Sequence, residues 1–140
     1  LRADQGQVFA VEKKDDAVAL LYENKQRFAA DNLEIIKGEA PEALKELPVP
    51  THAFIGGSSG NLKEIVALLL EKNRDVRIVI NCITLETISE ALEILKEYDF
   101  ADQEAVQLTA SRSKEIGKYH LMMGENPIYI ITCQSPRAQI

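Results

Sequence analysis

The segment AFIGGSSGNL, residues 53–62, carries the clearest strand–turn–helix pattern in the chain. A short apolar run leads into a turn with three glycines in five residues, and apolar side chains then recur at helical spacing as far as residue 72. Asn61 and Glu64 have the spacing of a capping box, which predicts that the helix begins just after Asn61. A strand that passes through such a turn directly into a helix is typical of sheets whose strands run parallel.

The same unit recurs along the first two thirds of the chain. The predicted elements alternate in the order strand 8–11, helix 15–30, strand 33–37, helix 41–47, strand 53–55, helix 62–72, strand 76–80 and a helix capped by Thr84. Beyond them, residues 104–111 alternate loosely, residues 112–125 are interpreted as a long polar loop, and residues 128–132 form an apolar run. We therefore predict a single domain over residues 1–140, an α/β fold with an open, mainly parallel sheet, helices on both faces and a C-terminal antiparallel hairpin.

Composition limits the partners of this fold. The chain has 16 Lys and Arg against 22 Asp and Glu, a formal net charge of −6, which argues against nucleic acid as a partner. The longest apolar stretch, residues 65–70, is too short to cross a membrane. Cys82 and Cys133 lie in apolar runs without metal-ligand spacing, so we predict buried thiols, no metal site and a reducing, cytoplasmic location.

In an open α/β sheet, ligands bind beyond the carboxyl ends of the strands, so the residues at those ends are the candidates. Glu12 ends the first strand, where a carboxylate can accept both hydroxyls of a ribose; a solvated acid at a helix start is the equal alternative. The turn Gly38-Glu39-Ala40 leaves room for a flat ring, although an ordinary strand-to-helix turn explains it more simply. Three glycines within residues 56–60 cost backbone entropy and allow close approach by a ligand.

Two alternatives stay open at these sites. The turn at residues 56–60 also suits a phosphate at a helix N-terminus, although it lacks the Gly-Lys-Ser/Thr ending of a P-loop and does not match G-x-G-x-x-G. Residues 111–120 carry four cationic or potentially cationic groups, Arg112, Lys114, Lys118 and His120, in an acidic chain. They suit a carboxylate-rich substrate, and a solvated basic loop with a structural histidine is the alternative.

Four segments together resemble the precorrin methyltransferase family called CbiT, which also forms the C-terminal half of the fused enzyme CobL. The segments are VFAVEKK (8–14), GEAPEAL (38–44), FIGGSSG (54–60) and NCITLET (81–87), and GKYH (117–120) and ENPI (125–128) resemble the family too. The resemblance implies a class I methyltransferase of cobalamin biosynthesis that uses S-adenosylmethionine. Such an enzyme methylates carbon 15 of a precorrin, a tetrapyrrole, and decarboxylates the acetate on ring C, while the other half of the fused form methylates carbon 5.

The resemblance also assigns roles to residues. It implies that Glu12 holds the ribose hydroxyls, that the turn of Gly38, Glu39 and Ala40 borders the adenine, and that Gly56 and Gly57 line the methionine and methyl-transfer region. The residues that it places near the tetrapyrrole are Asn81, Thr84, Arg112, Lys118, Tyr119 and His120. Tyr119 and His120 are also candidates for proton transfer in decarboxylation. Methyl transfer depends mainly on placement and desolvation, so no catalytic base is predicted.

The sequence departs from this family at one place. The family begins with a strand and a glycine-rich loop of the type Gly-x-Gly-x-Gly, and no such segment precedes Leu1. We therefore expect the first strand to be missing, the strands ending at Glu12 and Ile55 to lack a partner between them, and the chain as written to bind the cofactor weakly and to be inactive.

Further expectations concern partners and competing functions. The resemblance implies a homo-oligomer, with the apolar residues 128–131 either joining subunits or forming an internal strand, and a fused or partner precorrin methyltransferase domain. Two other functions compete with the first one. One is methylation of another small molecule with S-adenosylmethionine, and the other is a nucleotide-binding or regulatory module that uses residues 56–60.

Overall fold

The computed structural model describes residue 3 and residues 5–137. These residues divide into two units, Leu1–Pro48 and Val49–Ile140. This division does not test whether residues 1–140 form the single domain that the sequence predicts, so the single domain stays a prediction.

The first unit is a strand–helix–strand, as the sequence predicts. Strand β1 (Val8–Glu12), helix α1 (Asp15–Arg27) and strand β2 (Leu33–Lys37) follow one another, and the two strands pair in parallel with Glu12 opposite Lys37. The helix predicted at residues 41–47 is wrong, because only a three-residue 3₁₀ turn, Glu42–Leu44, forms there. The segment between Pro41 and Pro48 is short, and the N–H groups of Leu44, Lys45 and Leu47 each donate to the carbonyl three residues earlier, which is the 3₁₀ pattern.

The second unit contains a four-stranded sheet and two helices. Its elements are β3 (His52–Ile55), α2 (Leu62–Lys72), β4 (Arg77–Cys82), α3 (Leu85–Tyr98), β5 (Phe100–Leu108), β6 (Ser111–Ile116), β7 (Tyr119–Gly124) and β8 (Ile128–Pro136). The sheet has the order β3-β4-β8-β5, with β3 and β4 parallel and β8 antiparallel to both of its neighbours. The apolar run at residues 128–131 therefore forms an internal strand.

The two predicted helix caps have different outcomes. Thr84 caps α3 as predicted, because its Oγ1 accepts the backbone N–H of Thr87 at 3.2 Å. Asn61 lies at the N-cap of α2 but makes no capping hydrogen bond with its side chain, so the capping box with Glu64 is wrong.

The core of the second unit lies on one face of its sheet. Alternation along a strand places every second residue on the same face, and the residues opposite each other across the β4–β8 pair share that face. The buried residues that β4 and β8 contribute to this face include Ile78, Ile80, Cys82, Ile131 and Cys133, and the buried helix residues include Leu62, Val66, Leu70, Ala91 and Ile94. Helix α3 contacts β4, β5 and β8, and α2 packs against α3.

Residues 112–125 do not form the predicted loop. They belong mostly to an antiparallel hairpin, in which Ser111 pairs with Gly124 and Ile116 with Tyr119; we call residues 111–124 the arm. Its turn contains Gly117 with a φ of +63°, which a two-residue hairpin turn favours at its first position. The polar run from Arg112 to Glu115 has no apolar alternation, and this is why the sequence concealed a strand.

The arm extends the antiparallel pair of β5 and β8, but the pairing register of its two strands is shifted by one residue. Leu108 pairs with Ile128 and Ser111 with Gly124, so two residues on one strand lie opposite three on the other. This count defines a β-bulge at residues 125–127, and Pro127 suits it because proline has no N–H to donate. None of the described helices is long and apolar enough to span a membrane.

The Cys133 thiol makes the stability of the fold depend on pH in the alkaline range. Burial raises the pKa of Cys133 from 9.0 to about 11. An acid whose pKa is higher in the folded state contributes its full stabilisation below the unfolded-state pKa and loses it as the pH rises through the folded-state pKa. We expect the free energy of unfolding, measured by urea titration, to fall between about pH 9 and about pH 11.

The substitution Cys133→Val is the control, because it removes the titrating group and keeps an apolar side chain. Burial also raises the pKa values of Cys82 and Tyr98, so both proteins retain some loss of stability at high pH. The wild-type protein should lose more stability than the variant over this range. Parallel curves would contradict the assignment.

Candidate functional site

The predicted ligand residues of the second unit lie at one edge of its sheet. β3 and β4 are parallel, so the turn after Ile55 and the turn after Cys82 lie at the same edge. β8 is antiparallel to β4 and places Tyr129 opposite Cys82, so β8 begins at this edge. The arm precedes β8 in the chain and therefore projects from the edge where ligands bind in open α/β sheets.

Nothing in the described part of the protein requires the residue at position 57 to be glycine. A Cβ added at Gly57 would meet no atom within 4 Å, and its φ is not in the left-handed region. Gly60 differs from Gly57, because its φ of +86° lies in the left-handed region, which favours glycine. The backbone at Gly57 thus borders open space at the ligand edge, which is the arrangement that close approach by a ligand requires.

Gly56 lies against an aromatic ring that the sequence did not single out. A Cβ at Gly56 would come within 3.2 Å of Cε1 of Phe54, a residue that is 71% exposed. Phe54 pairs with Val79, so the two share the sheet face on which Asn81 also lies. An aromatic residue two positions before Gly56 was the only signal in the sequence for this ring.

The side-chain oxygen of Asn81 is buried and accepts no hydrogen bond from the described residues. Its Oδ1 is inaccessible to solvent and has no hydrogen-bond partner in the part of the chain that the structure describes. Asn81 lies one residue before the end of β4, opposite Ile130, on the face away from the core residues Ile80 and Cys82. An unsatisfied buried amide oxygen costs stability, and a ligand that donates a hydrogen bond would remove that cost.

Thr84 uses its hydroxyl inside the protein. Its Oγ1 accepts the N–H of Thr87 and lies 2.9 Å from the Oγ1 of the same residue. This engagement accounts for a threonine at the start of α3 without a ligand. A contact of Thr84 with substrate stays a prediction.

The first unit brings Glu12, Gly38 and Glu39 together at the ends of its two strands. The Oε1 of Glu12 accepts the backbone N–H groups of Lys13 and Lys14 at 2.8 and 2.9 Å, and neither bond uses Oε2. Gly38 donates its N–H to the backbone carbonyl of Glu12 at 3.0 Å. The Nζ of Lys13 lies 2.9 Å from Oε1 of Glu39 and joins the two turns, a role that the sequence did not predict. The half-buried carboxylate of Glu12 is thus held in place by its own turn.

Gly38, unlike Gly57, is explained by packing. A Cβ at Gly38 would lie 2.8 Å from the Cβ of Ala43 in the 3₁₀ turn, which is too close for two carbon atoms. Glycine at this position therefore needs no ligand to explain it. Ala40 is half-buried in the same turn, and Glu39 is exposed.

The arm separates the basic and aromatic residues that the sequence grouped in one loop. Pairing places Arg112 opposite Met123 and Tyr119 opposite Ile116, so Arg112 and Tyr119 share a face, whereas His120 lies on the other face. Lys118 is in the turn, and all four side chains are exposed. The Nε of Arg112 lies 3.4 Å from Oε1 of Glu125. Tyr119 and His120, as neighbours in a strand, point to opposite sides of the arm.

Metal coordination finds no support among the described residues. They contain no group of three or more His, Cys, Asp and Glu side chains placed to hold a metal ion.

A family model and the sequences of known proteins both match this chain to precorrin methyltransferases. A family model described as a precorrin methyltransferase domain matches residues 1–134. A protein of Pyrobaculum calidifontis, named probable cobalt-precorrin-6B C(15)-methyltransferase (decarboxylating), is 34% identical over 133 residues, which are 94% of this chain and 68% of that protein.

Solved structures agree with the sequence comparison. A precorrin-6y C5,15-methyltransferase from Geobacter metallireducens superposes with a TM-score of 0.82 at 32% identity, over 92% of this chain and 68% of that one. A structure from Methanobacterium thermoautotrophicum named precorrin 8W decarboxylase superposes with a TM-score of 0.81 at 32% identity, over 91% of this chain and 69% of that one.

The packing of Gly38 can be tested by a compensating pair of substitutions. Gly38→Ala should destabilise the protein by about 1–3 kcal/mol, because the new Cβ clashes with the Cβ of Ala43. Adding Ala43→Gly to this variant removes the clashing atom and should restore part of the loss, as measured by urea unfolding. Gly57→Ala is the matched control and should leave stability unchanged, since its Cβ enters open space. Equal stability of Gly38→Ala and the wild-type protein would refute the packing explanation.

Proposed function

The chain belongs to the precorrin methyltransferase family, and on that premise we propose that it methylates carbon 15 of a precorrin with S-adenosylmethionine and decarboxylates the acetate on ring C. The observation that carries this proposal is the 34% identity to a named C(15)-methyltransferase over 94% of the chain. The class I methyltransferase fold predicted from the sequence is confirmed by the solved relatives. The family relation favours a precorrin over another small molecule or a nucleotide as the ligand.

The residues at the strand ends suit the cofactor of this family. In the second unit, the bare backbone at Gly56 and Gly57 would lie along the methionine portion, and a Cβ at Gly57 would occupy the space that this portion needs. In the first unit, the Oε2 of Glu12, which has no hydrogen bond among the described residues, would accept the ribose hydroxyls, and Glu39 with Ala40 would border the adenine. When bound, S-adenosylmethionine supplies an electrophilic methyl group on a sulfonium.

The chain contributes placement rather than acid–base chemistry to methyl transfer. An electron-rich ring carbon is nucleophilic enough by itself, so the protein has to align it with the methyl group and exclude water. The side chain of Asn81 would turn toward the substrate, so that its Oδ1, which is buried and without a partner among the described residues, accepts a hydrogen bond from a ring N–H of the tetrapyrrole and orients the ring. Arg112 and Lys118 would bind the peripheral carboxylates of the substrate.

Decarboxylation requires a different contribution. The bond between the acetate methylene carbon and its carboxylate breaks, carbon dioxide leaves, and the remaining carbon takes a proton. Tyr119 and His120 are the candidates to deliver that proton, and they lie on opposite faces of the arm. Only one of them can therefore approach a given carbon from a given face, and separate substitutions will identify it. A cytoplasmic location and a fused or partner methyltransferase domain belong to this proposal as well.

Gly57→Ala tests the placement of the cofactor. We expect this change to lower the affinity for S-adenosylmethionine by about tenfold or more, because a methyl group replaces ligand space. Affinity is measured by calorimetry, and stability by urea unfolding should not fall. Gly124→Ala is the matched control, since its Cβ also meets no atom within 4 Å but lies at the end of β7. If both variants bind with wild-type affinity, the glycine pair does not line the cofactor.

The substitution Asn81→Leu is expected to raise the stability of the protein and to lower its activity. We expect the variant to be more stable by about 1 kcal/mol, because it removes a buried acceptor that has no donor. We expect kcat/KM for the precorrin to fall about tenfold or more, because the ring loses its hydrogen bond. Asn73→Leu is the control with the opposite sign of stability change, since Asn73 donates to the carbonyl of Pro50 at 2.8 Å and accepts the N–H of Asp75 at 3.0 Å. A destabilised Asn81→Leu variant with unchanged kcat/KM would show that Asn81 is structural.

A further inference from the structure

Lys13 links the two turns that carry the candidate residues for the ribose and the adenine. Its side chain reaches from the end of β1 to the turn after β2, where its Nζ lies 2.9 Å from Oε1 of Glu39. Its backbone N–H donates to Oε1 of Glu12 at 2.8 Å. One residue therefore holds two carboxylates, the first through its main chain and the second through its side chain.

The backbone fixes the two strand ends next to each other, but it does not fix the carboxylate of Glu39. Glu12 lies opposite Lys37 in the parallel pair, and Gly38 donates its N–H to the carbonyl of Glu12 at 3.0 Å. Glu39 follows these bonds with an exposed side chain, which has several rotamers open to it. Among the described residues, it is the side chain of Lys13 that holds this carboxylate in one position.

The Lys13–Glu39 pair is too exposed to serve mainly as a stabilising contact. The side chain of Lys13 is 42% exposed and that of Glu39 is 54% exposed. Ion pairs between exposed side chains contribute little to the free energy of folding, because water screens the charges and two flexible side chains lose conformational freedom. The pair lies instead at the carboxyl ends of two parallel strands, where side-chain positions decide how a ligand is held.

We propose that Lys13 is a positioning residue for the cofactor, which holds the Glu39 carboxylate beside the adenine and aligns the adenine turn with the ribose turn. The inference rests on the proposed function, under which S-adenosylmethionine binds at these strand ends. A side chain that is fixed before binding loses less conformational freedom when the ligand arrives, so the affinity rises without a new contact. Lys13 acts through Glu39 and does not touch the cofactor.

The charge of Lys13 by itself would act differently on two related ligands. S-adenosylmethionine carries a positive sulfonium, whereas S-adenosylhomocysteine has a neutral thioether in its place. Removal of a nearby cation weakens the repulsion of the sulfonium, so an effect of charge alone would raise the affinity for S-adenosylmethionine and leave that for S-adenosylhomocysteine unchanged. A positioning role lowers both affinities equally, because the two ligands share the same adenosine portion.

The substitution Lys13→Met tests the proposal, because it removes the ammonium group and keeps an apolar stem. The dissociation constants of both ligands, measured by calorimetry, should rise by about threefold to tenfold, which is the cost of immobilising one freed side chain on binding. The urea midpoint should stay close to that of the wild-type protein. Lys13→Arg keeps the cation and should restore both affinities.

Lys45→Met is the matched control for the loss of a charge and an ion pair. Lys45 pairs with Glu42 within one turn of the same unit, so this pair does not join the two strand ends. The variant should bind both ligands as the wild-type protein does. A loss of affinity equal to that of Lys13→Met would overturn the proposal, because it would show that removal of any cation from this unit has the same effect.

A double-mutant cycle with Glu39→Ala separates positioning from direct contact. In the Glu39→Ala background the carboxylate is already absent, so adding Lys13→Met should change either affinity by no more than about twofold. A loss that persists in this background would show that Lys13 contacts the ligand itself and would overturn the positioning role. A rise in the affinity for S-adenosylmethionine alone would overturn it as well.

A measurement without ligand checks the link between the two turns independently of the proposed function. Lys13→Met should shift the backbone amide resonance of Glu39 in a ¹H–¹⁵N spectrum, although the two residues are 26 positions apart in the sequence. An unmoved resonance with wild-type affinities would overturn the inference and leave the proposed function intact. A wild-type protein that binds neither ligand would overturn the proposed function and the inference together.

Discussion

The pairing of β8 with β4 is the constraint on which the second unit depends. It places Ile131 and Cys133 beside Ile80 and Ile78, so that one buried face spans the sheet and receives α2 and α3. Because β8 runs antiparallel to β4, its first residues lie at the carboxyl ends of the parallel strands. The arm, which precedes β8, is thereby attached to the ligand edge. Core packing and the position of the candidate site thus follow from the same set of backbone hydrogen bonds.

Two glycines with similar positions in the sequence have different physical reasons. Both Gly38 and Gly57 lie in turns that follow a strand, and the sequence separates them only by the two further glycines near Gly57. In the structure, Gly38 is required by the Cβ of Ala43, whereas Gly57 borders open space. The contrast explains Gly38 by packing and supports the proposed contact of Gly57 with a ligand. Thr84 and Asn81 differ in the same way, since the hydroxyl of Thr84 is used as a helix cap and the Oδ1 of Asn81 has no partner among the described residues.

The site combines a stable frame with groups that the fold leaves unsatisfied. The sheet and its helices bury a continuous apolar face, while the edge carries an orphaned acceptor, an exposed Phe54 ring and an exposed arm. Each of these features costs stability in the isolated chain. In a methyltransferase that relies on placement, such groups are expected where the substrate completes the contacts.

The sequence by itself determined the alternation of strands and helices apart from the helix predicted at residues 41–47, the parallel pairing around α1 and α2, the cap at Thr84 and the family. Periodicity and strand-end motifs are local patterns, and this is why they could be read from the sequence. It did not determine the arm, since Arg112 to Glu115 are polar on both faces of a strand and carry no apolar alternation. It also did not show that Tyr119 and His120 lie on opposite faces, that Lys13 joins two turns, or that Asn81 is unsatisfied. Those properties depend on register and burial, which exist only when distant segments pair, and so the tertiary structure alone decided them.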